Sequence, residues 1–355
     1  MDLAAAADSL RRLALATGTR APLYSRLAEA VAGNPEVLSI LAGAPATHRA
    51  PVGLLAAVHY LLLADPGQPL AGWYPNLTDR PRTDDPVAAF EAFCAARRDE
   101  IVDLVSTRLP QTNEIGRSAL LLVGLASLAG VDTPLAHLDV GASAGLNLLI
   151  EHYGYDFSGR RLGPDRLVLG CEVSGGKGPL PAAIPRFGGH LGLDRDPVDL
   201  SDPAQVRWLE ACVWPDQADR FERLRTAIGL GREVGVRVRG GDAVSDLGAA
   251  LDELGGAGHP VVTTSWVLTY LTDGDRAAFQ EVLAARGARS DLSWVFAEAP
   301  AYAPGLPYPP GMEASELTVL ATVSWRDGVR RVRHLATCHP HGYTLRWLPR
   351  RGAVR

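Results

Sequence analysis

The chain has 355 residues, enough for one large domain or two modest ones with an ample core. Its hydrophobic content of 47% and charged content of 21% are those of an ordinary globular protein, and a net charge of −5 gives no general reason to expect a nucleic-acid binder. Four scattered cysteines, an N-terminus without a signal-peptide pattern and no apolar run of membrane-spanning length predict a cytoplasmic protein that does not bind membranes.

Residues 1–110 are predicted to form a helical N-terminal cap. Apolar residues recur at helical spacing up to Gly33-Asn34-Pro35, a sequence that ends a helix. Pro51 to Ala64 is a further apolar helix. Asp85-Pro86 is typical of the first residues of a helix, and we expect that helix to continue to about Arg108.

Residues 111–355 have the pattern of an α/β domain, because short apolar runs alternate with helical and loop stretches. A helix from Thr112 to Gly130 is predicted to lead into a strand at Leu135 to Val140. A lid insertion is expected at about residues 173–234. Further strands are predicted at residues 166–172, 235–239, 260–265 and 293–298, and a closing hairpin at residues 316–325 and 329–337. The expected architecture is a doubly wound, mostly parallel seven-stranded sheet with an all-helical cap.

A glycine turn follows the first predicted strand, with the sequence Asp139-Val-Gly141-Ala142-Ser143-Ala-Gly145. Glycine lets the backbone approach a ligand closely, and a helix start aims free N–H groups at it. The pattern resembles the first motif of class I S-adenosylmethionine-dependent methyltransferases, an acidic residue followed by Gly-x-Gly-x-Gly, with Ser143 in place of the middle glycine. The resemblance implies a Rossmann-like fold and S-adenosylmethionine as cofactor, bound at this turn.

The same resemblance implies roles for residues at the ends of the following strands. The ribose hydroxyls are expected at a carboxylate that ends the second strand, and Glu172 stands there. Gly241 and Asp242 follow the third predicted strand, where the adenine is expected. Ser265 ends the fourth, where the methyl donor and the acceptor should meet.

Polar residues cluster in Gln111 to Arg117, just before the first strand. They could cover the methionine end of the cofactor, with Arg117 for its carboxylate and Asn113 or Glu114 for its amine. The alternative is a capped helix with Thr112 as N-cap and Glu114 and Arg117 as a surface pair.

The expected function is methyl transfer to an unidentified small molecule. A general base is needed only if the acceptor is protonated, and Glu114, Asp196 and His339 are the candidates for it. Metal binding is not expected, because Cys338 and His339 are adjacent on a strand and point to opposite faces.

Two other functions remain open. Gly141 to Gly145 also spells Gly-x-Ser-x-Gly, the nucleophile elbow of serine hydrolases, for which Ser143, Asp273 and His339 give a possible triad. Such enzymes need strands and an oxyanion loop before the nucleophile, and residues 1–130 supply neither. The other possibility is a non-catalytic binding protein on a methyltransferase-like core.

From about residue 20 to residue 350 the chain is similar to one bacterial family of domains of unknown function built on a methyltransferase-like core. Three stretches carry this resemblance: Gln111-Thr-Asn-Glu-Ile-Gly-Arg117, Leu138-Asp-Val-Gly-Ala-Ser-Ala-Gly-Leu-Asn147 and Val213-Trp-Pro-Asp-Gln217. It supports the fold and implies no established activity.

Overall fold

A computed structural model describes residues 3–45, 50–128, 133–176 and 178–349. Contacts divide the chain into two compact units, residues 1–112 with 199–226 and residues 113–198 with 227–355. In the described residues the α-helices α1 to α11 are Leu3–Thr17, Pro22–Gly33, Pro35–Leu38, Pro51–Ala64, Val87–Ala96, Arg98–Thr107, Arg117–Ala126, Pro203–Ala211, Ala218–Val234, Leu247–Glu253 and Asp273–Gly287. The strands β1 to β11 are Leu135–Val140, Gly154–Phe157, Arg160–Leu162, Val168–Gly175, Phe187–Asp194, Val238–Gly240, His259–Ser265, Leu292–Glu298, Thr318–Arg326, Val329–Cys338 and Thr344–Trp347.

The first unit is helical, and its core surrounds α4. Nine residues of α4 are buried, and its sequence is apolar around the whole circumference because other helices pack on several of its sides. The predicted helix from Asp85 to Arg108 is two helices, α5 and α6, which meet at Arg97.

Asp216, from the Val213–Gln217 stretch, caps a helix of this unit. Its Oδ1 accepts the Leu23 N–H at 2.9 Å and its Oδ2 accepts the Tyr24 N–H at 3.2 Å, at the start of α2. Trp214 lies with its ring centroid 6.0 Å from that of Tyr24. A carboxylate at a helix N-terminus stabilises the unpaired amides there, so this stretch joins α2 to the segment after α8.

The second unit is built on one mixed, mostly parallel sheet in the order β3-β2-β4-β11-β10-β9-β8-β7-β1-β5-β6. Strands β6, β5, β1, β7 and β8 are parallel neighbours, and β9 is antiparallel to β8. Helices α10 and α11 pack on one face, and α7 packs against β8 and β9. The sheet has eleven strands, so the predicted seven was wrong.

The second predicted strand forms, because residues 168–172 lie in β4, but its place in the sheet differs from the methyltransferase-like order. The neighbours of β1 are β5 and β7. Five strands separate β4 from β1 in the sheet. The expected lid at residues 173–234 therefore contains an interior strand of the sheet, β5, which lies between β1 and β6.

Glycines explain why β5 was not recognised. Its sequence, Phe187-Gly-Gly-His-Leu-Gly-Leu-Asp194, lacks the continuous apolar pattern of a buried parallel strand. A Cβ atom on Gly192 would lie 2.7 Å from the Ala142 Cβ. Glycine in a strand often marks the close approach of another segment, and here it makes room for the turn after β1.

The helix predicted from Thr112 to Gly130 begins later, at Arg117, and residue 130 lies outside the described part of the chain. After the turn, residues Leu146–His152 form a short 3-10 helix in place of the predicted α-helix.

Candidate functional site

The carboxyl ends of the parallel strands meet at one edge of the sheet. Strands β5 and β6 lie on one side of β1, and the chain then crosses to β7 and β8 on the other side. In open α/β sheets, ligands bind outside the carboxyl ends at such a reversal of strand order. Strand β10 is antiparallel to β9, so the loop after it, residues 339–343, lies at the same edge.

The turn after β1 has a left-handed backbone at three positions. The φ angles are 73° at Gly141, 52° at Ser143 and 72° at Gly145. Its amides are already bonded within the protein: the Gly141 N–H donates to Leu193 O at 2.8 Å and the Ser143 N–H to Asp194 Oδ2 at 2.7 Å. The turn therefore offers a ligand few free N–H donors.

The two glycines are also required by packing. A Cβ atom would lie 2.2 Å from Val267 Cγ2 at Gly141 and 2.8 Å from Val238 Cγ2 at Gly145. Valine side chains thus pack against both glycines, which allow the turn to lie close to β6 and to the segment after β7.

Carboxyl groups stand at or just past the ends of four of the five parallel strands. They are Asp139 on β1, Asp194 on β5, Asp242 after β6 and Glu298 on β8. On β7 the corresponding residue is Ser265. Four carboxyl groups thus lie along this edge, and the guanidinium groups of Arg117 and Arg195 lie beside Ser265 and Asp242.

Asp139 is buried, and its Oδ1 accepts a 2.5 Å hydrogen bond from Thr263 Oγ1. Burial raises the pKa of Asp139 to about 7; the Thr263 hydrogen bond opposes this rise and the Asp194 carboxyl adds to it. Thr263 in turn contacts His137 Nε2 at 2.9 Å. A buried carboxyl in this environment changes its charge near neutral pH.

Glu298 is the second buried carboxyl. Its Oε1 accepts the Val267 N–H at 3.1 Å, while Oε2 has no hydrogen-bond partner among the described residues. Burial raises the pKa of Glu298 to about 7.

Asp194 is the last residue of β5 and Asp242 follows the neighbouring strand β6, and both are half-buried. Asp194 holds the turn through Ser143, and its Oδ1 accepts the Asp196 N–H at 2.9 Å. Arg195 Nη2 donates to Asp242 Oδ2 at 2.8 Å, and this hydrogen bond is the largest cause of the lowered pKa of Asp242. Asp194 was not predicted to be a site residue, because β5 was not recognised as a strand.

Gly241 joins the ends of these two strands: its N–H donates to Asp194 O at 2.8 Å, and a Cβ atom there would lie 3.0 Å from Leu193 Cδ1. Asp196 is exposed and lies two residues beyond Asp194, on the β5 side of the edge.

Residues 113–117 run along the same edge. The Asn113 Nδ2 donates to Ala142 O at 3.3 Å. Arg117 is buried, and its guanidinium donates to Pro340 O at 2.8 Å and to Ser265 O at 3.1 Å. The structure thus gives Arg117 two backbone carbonyls as partners. Because Glu114 and Arg117 are both buried, the alternative of a surface pair was wrong.

Two buried polar atoms near these residues have no hydrogen-bond partner in the described part of the chain. They are Asn113 Oδ1 and Ser265 Oγ. A buried unpaired oxygen is costly, so such an atom in a native protein indicates strain, a catalytic role, or a bound water or ion.

His341 is the candidate residue that the sequence analysis missed. Its Nδ1 lies 2.8 Å from Oε2 of Glu114, whose Oε1 accepts the Gly116 N–H at 3.1 Å. Glu114 is 3% exposed, whereas the His341 side chain is 29% exposed. A buried carboxylate beside a partly exposed imidazole fixes the ring and its protonation. Of the predicted bases, Glu114 therefore serves as the partner of His341.

His339 has a different environment. Its Nδ1 accepts the His341 N–H at 3.1 Å, and its ring stacks on Tyr343 with centroids 4.9 Å apart. In a Ser-His-Asp triad the histidine Nδ1 carries a hydrogen and donates a hydrogen bond to the aspartate, whereas Nδ1 of His339 accepts one. Asp273 pairs with Arg276 at the start of α11. Ser143 is 8% exposed, so the geometry gives the hydrolase hypothesis little support.

Glu172 is not brought to the turn. It pairs with Thr344 of β11 and lines a cavity of about 450 Å³ together with Asp156, Ser158, Gly170, Cys171, Tyr343 and Thr344. The assignment of Glu172 to the ribose assumed that the strand it ends lies beside β1. That place is taken by β5, so the assignment was wrong.

In the described residues, no group of three or more His, Cys, Asp or Glu side chains could hold a metal ion. No helix within the described ranges is long and apolar enough to cross a membrane.

Comparison with known proteins gives one result. The model of a family described as "Uncharacterized protein conserved in bacteria (DUF2332)" matches residues 7–347 of the chain. No curated protein and no solved structure matches it.

Proposed function

We propose that this chain, which belongs to the uncharacterised bacterial family DUF2332, transfers a methyl group from S-adenosylmethionine to a small-molecule acceptor. The observation that supports this most is the row of carboxyl groups on Asp139, Asp194, Asp242 and Glu298 along one edge of the sheet. We also infer that β6, β5, β1, β7 and β8 form a Rossmann-like core of the methyltransferase type.

The chemistry of this edge suits a cationic nucleoside better than a nucleotide phosphate. Phosphate sites in α/β proteins use free backbone N–H groups at a glycine turn. Here the Gly141 and Ser143 amides are bonded to Leu193 and Asp194, and carboxyl groups lie along the edge. A sulfonium, an ammonium and ribose hydroxyls are all favoured by carboxylates, whereas a phosphate is repelled.

The residues present fit the parts of S-adenosylmethionine in order along the sheet. We assign the ribose hydroxyls to Asp194, because two of the roughly four acceptor positions of a carboxylate are used by Ser143 and Asp196. Asp242, on the next loop, is assigned to the adenine amino group. At the other end, Asn113 Oδ1 and Ser265 Oγ are the unpaired acceptors for the methionine ammonium, and Asp139 provides charge beneath it.

The cofactor supplies a methyl group that is already activated by the positive sulfur. The protein therefore has to orient the acceptor toward the methyl carbon and exclude water. Asp139 and Glu298 are buried carboxyls below the edge, so their negative charge favours a cation there most when both are ionised.

The proposal is tested by calorimetric titration of S-adenosylhomocysteine and S-adenosylmethionine into wild type, Asp194→Asn and Glu172→Gln. Asparagine keeps an oxygen for the Ser143 N–H, but it has no second oxygen for the Asp196 N–H and it loses the charge that strengthens bonds to ribose hydroxyls. A hydrogen bond to a charged group contributes about 1.5–3 kcal/mol, so Asp194→Asn should weaken binding by about tenfold or more.

Glu172→Gln is the matched control, because Glu172 lies in β4 and should leave the dissociation constant within about twofold of wild type. Thermal melting without ligand checks that Asp194→Asn keeps the fold. Absence of binding at millimolar concentration, or equal losses in the two variants, would refute the assignment.

A further inference from the structure

We propose that His341 accepts the proton of the methyl acceptor, with Glu114 as its positioning residue. This inference rests on the proposed function and identifies the acceptor class as a molecule with a protonated O–H or N–H nucleophile. The contact between Glu114 and His341 was not predicted from the sequence, because 227 positions separate the two residues.

The geometry of the pair fixes which ring nitrogen can accept a proton. Glu114 Oε2 lies 2.8 Å from His341 Nδ1, and an ionised carboxylate can only accept a hydrogen bond. In the neutral imidazole the single N–H is therefore on Nδ1, and Nε2 carries the lone pair. When Nε2 takes a proton, the resulting imidazolium stays beside the Glu114 carboxylate.

The pair is held in a closely packed place. A Cβ atom on Gly116 would lie 2.3 Å from His341 O, and one on Gly342 would lie 2.1 Å from Gly116 O. The backbone at Gly116 therefore lies directly against the backbone of His341 and Gly342, next to the Glu114–His341 bond. The ring has little freedom to move away from Glu114, which is the condition for an oriented base.

The position of His341 along the edge agrees with this role. The guanidinium of Arg117 joins Pro340 O, next to His341, to Ser265 O at the end of β7. In the proposed arrangement the nucleoside lies over β5 and β6, and the reacting end lies over β1 and β7. His341 thus stands on the side of the reacting end, with 29% of its side chain exposed.

The proposed step balances without any further reactant. A lone pair of the acceptor oxygen or nitrogen forms a bond to the methyl carbon. The carbon–sulfur bond breaks, and its electron pair stays on sulfur, which becomes a neutral thioether. The proton of the acceptor moves to His341 Nε2, and it is later released to water.

Sinefungin tests this assignment without a known acceptor. It is an analogue of the cofactor in which an amine-bearing carbon replaces the methylated sulfur, so its ammonium occupies the place of the methyl group. A neutral Nε2 at that place accepts a hydrogen bond from the ammonium. S-Adenosylhomocysteine lacks the amine and measures binding of the rest of the molecule.

Calorimetry of both ligands is expected to give wild type a preference for sinefungin of about tenfold or more, the range for a hydrogen bond to a charged group. His341→Asn keeps a donor for Glu114 but has no atom in place of Nε2. It should lose the preference while S-adenosylhomocysteine binds within about twofold of wild type. Glu114→Gln should reduce the preference in part, because the ring proton is then no longer fixed on Nδ1.

His339→Asn is the matched control, since its amide oxygen can still accept the His341 N–H, and it should keep the preference. His341→Phe is a second variant should the asparagine protein be unstable. A wild type without preference, or a His341 variant that retains it, overturns the role of His341 and leaves the cofactor assignment intact. Failure of both ligands to bind wild type overturns the proposed function and this inference together.

Discussion

Replacing Asp139 with asparagine should stabilise the protein at alkaline pH. The side chain is 2% exposed, and an asparagine oxygen can accept the same hydrogen bond from Thr263 Oγ1. Burial raises the pKa of Asp139 to about 7 from an ordinary value of 3.8. The wild-type protein must therefore carry a buried charge at high pH, and the variant need not.

The sign and the size follow from the two protonation states. Between about pH 4 and pH 7 the folded protein keeps a proton on Asp139 that the unfolded chain has lost. The free energy of unfolding contributed by this group therefore falls as the pH rises through that window, and it is constant above it. One pKa unit corresponds to 1.36 kcal/mol, and the pKa of Asp139 differs by about three units between the folded and unfolded states. The free energy of unfolding at pH 8 is therefore lowered by at most about 4 kcal/mol.

Urea denaturation of both proteins at several values between about pH 4 and pH 8 measures this effect. The wild-type profile alone is not sufficient, because burial lowers the pKa of four histidines and these make stability rise with pH in part of the same window. They are His59, His137, His190 and His259. The decisive quantity is the free energy of unfolding of the variant minus that of the wild type. This difference should grow from about pH 4 to about pH 7. A difference that is independent of pH would refute the reasoning.

Three further predictions concern the same edge and the packing around it. In wild type, S-adenosylmethionine should bind more tightly as the pH rises through about 7 and Asp139 and Glu298 ionise, and calorimetry should show a weaker pH dependence in Asp139→Asn. Glu298→Gln should raise the urea midpoint at pH 8, since Glu298 is fully buried and its pKa is also raised to about 7; an unchanged midpoint would contradict this. Gly124→Val should lower the free energy of unfolding by about 1–3 kcal/mol, because its Cβ would lie 2.3 Å from Val295 Cγ1. Gly229→Ala in α9, with no atom within 4 Å of the added Cβ, should raise it by about 0.5–1 kcal/mol. Chemical denaturation that ranks the two variants otherwise would contradict this packing.

Elements with a clear local hydrophobic or turn signal could be predicted from the sequence. Strand β1 and helix α4 are mostly apolar and lie where the sequence predicts them, and the Asp327-Gly328 turn joins β9 and β10 as expected. Strand β5 was missed because three of its eight residues are glycine, which carries no hydrophobic signal. Gly192 makes room for the turn and Gly188 for the backbone at Ala257, and these close approaches exist only in the folded sheet.

Some parts of the candidate site could likewise be predicted from the sequence, and others could not. Asp139 and the left-handed turn follow directly from the glycine spacing after a strand. Asp194 could have been found from the carboxylate at the end of β5, had that strand been recognised. The Glu114–His341 pair had no local signal, because a loop after β10 brings the histidine to a segment before α7.

Ser143, which replaces the middle glycine of the expected motif, illustrates how the fold compensates for a local departure. A non-glycine residue at a φ of 52° costs on the order of 1 kcal/mol. Its N–H donates at 2.7 Å to the Asp194 carboxylate, and a hydrogen bond to a charged group offsets a cost of that size. The turn therefore keeps its shape with serine present, so the substitution by itself is no evidence for a non-catalytic protein. Because the carboxylate that holds the turn is also the one assigned to the ribose, ligand binding at Asp194 and the conformation of the turn are coupled.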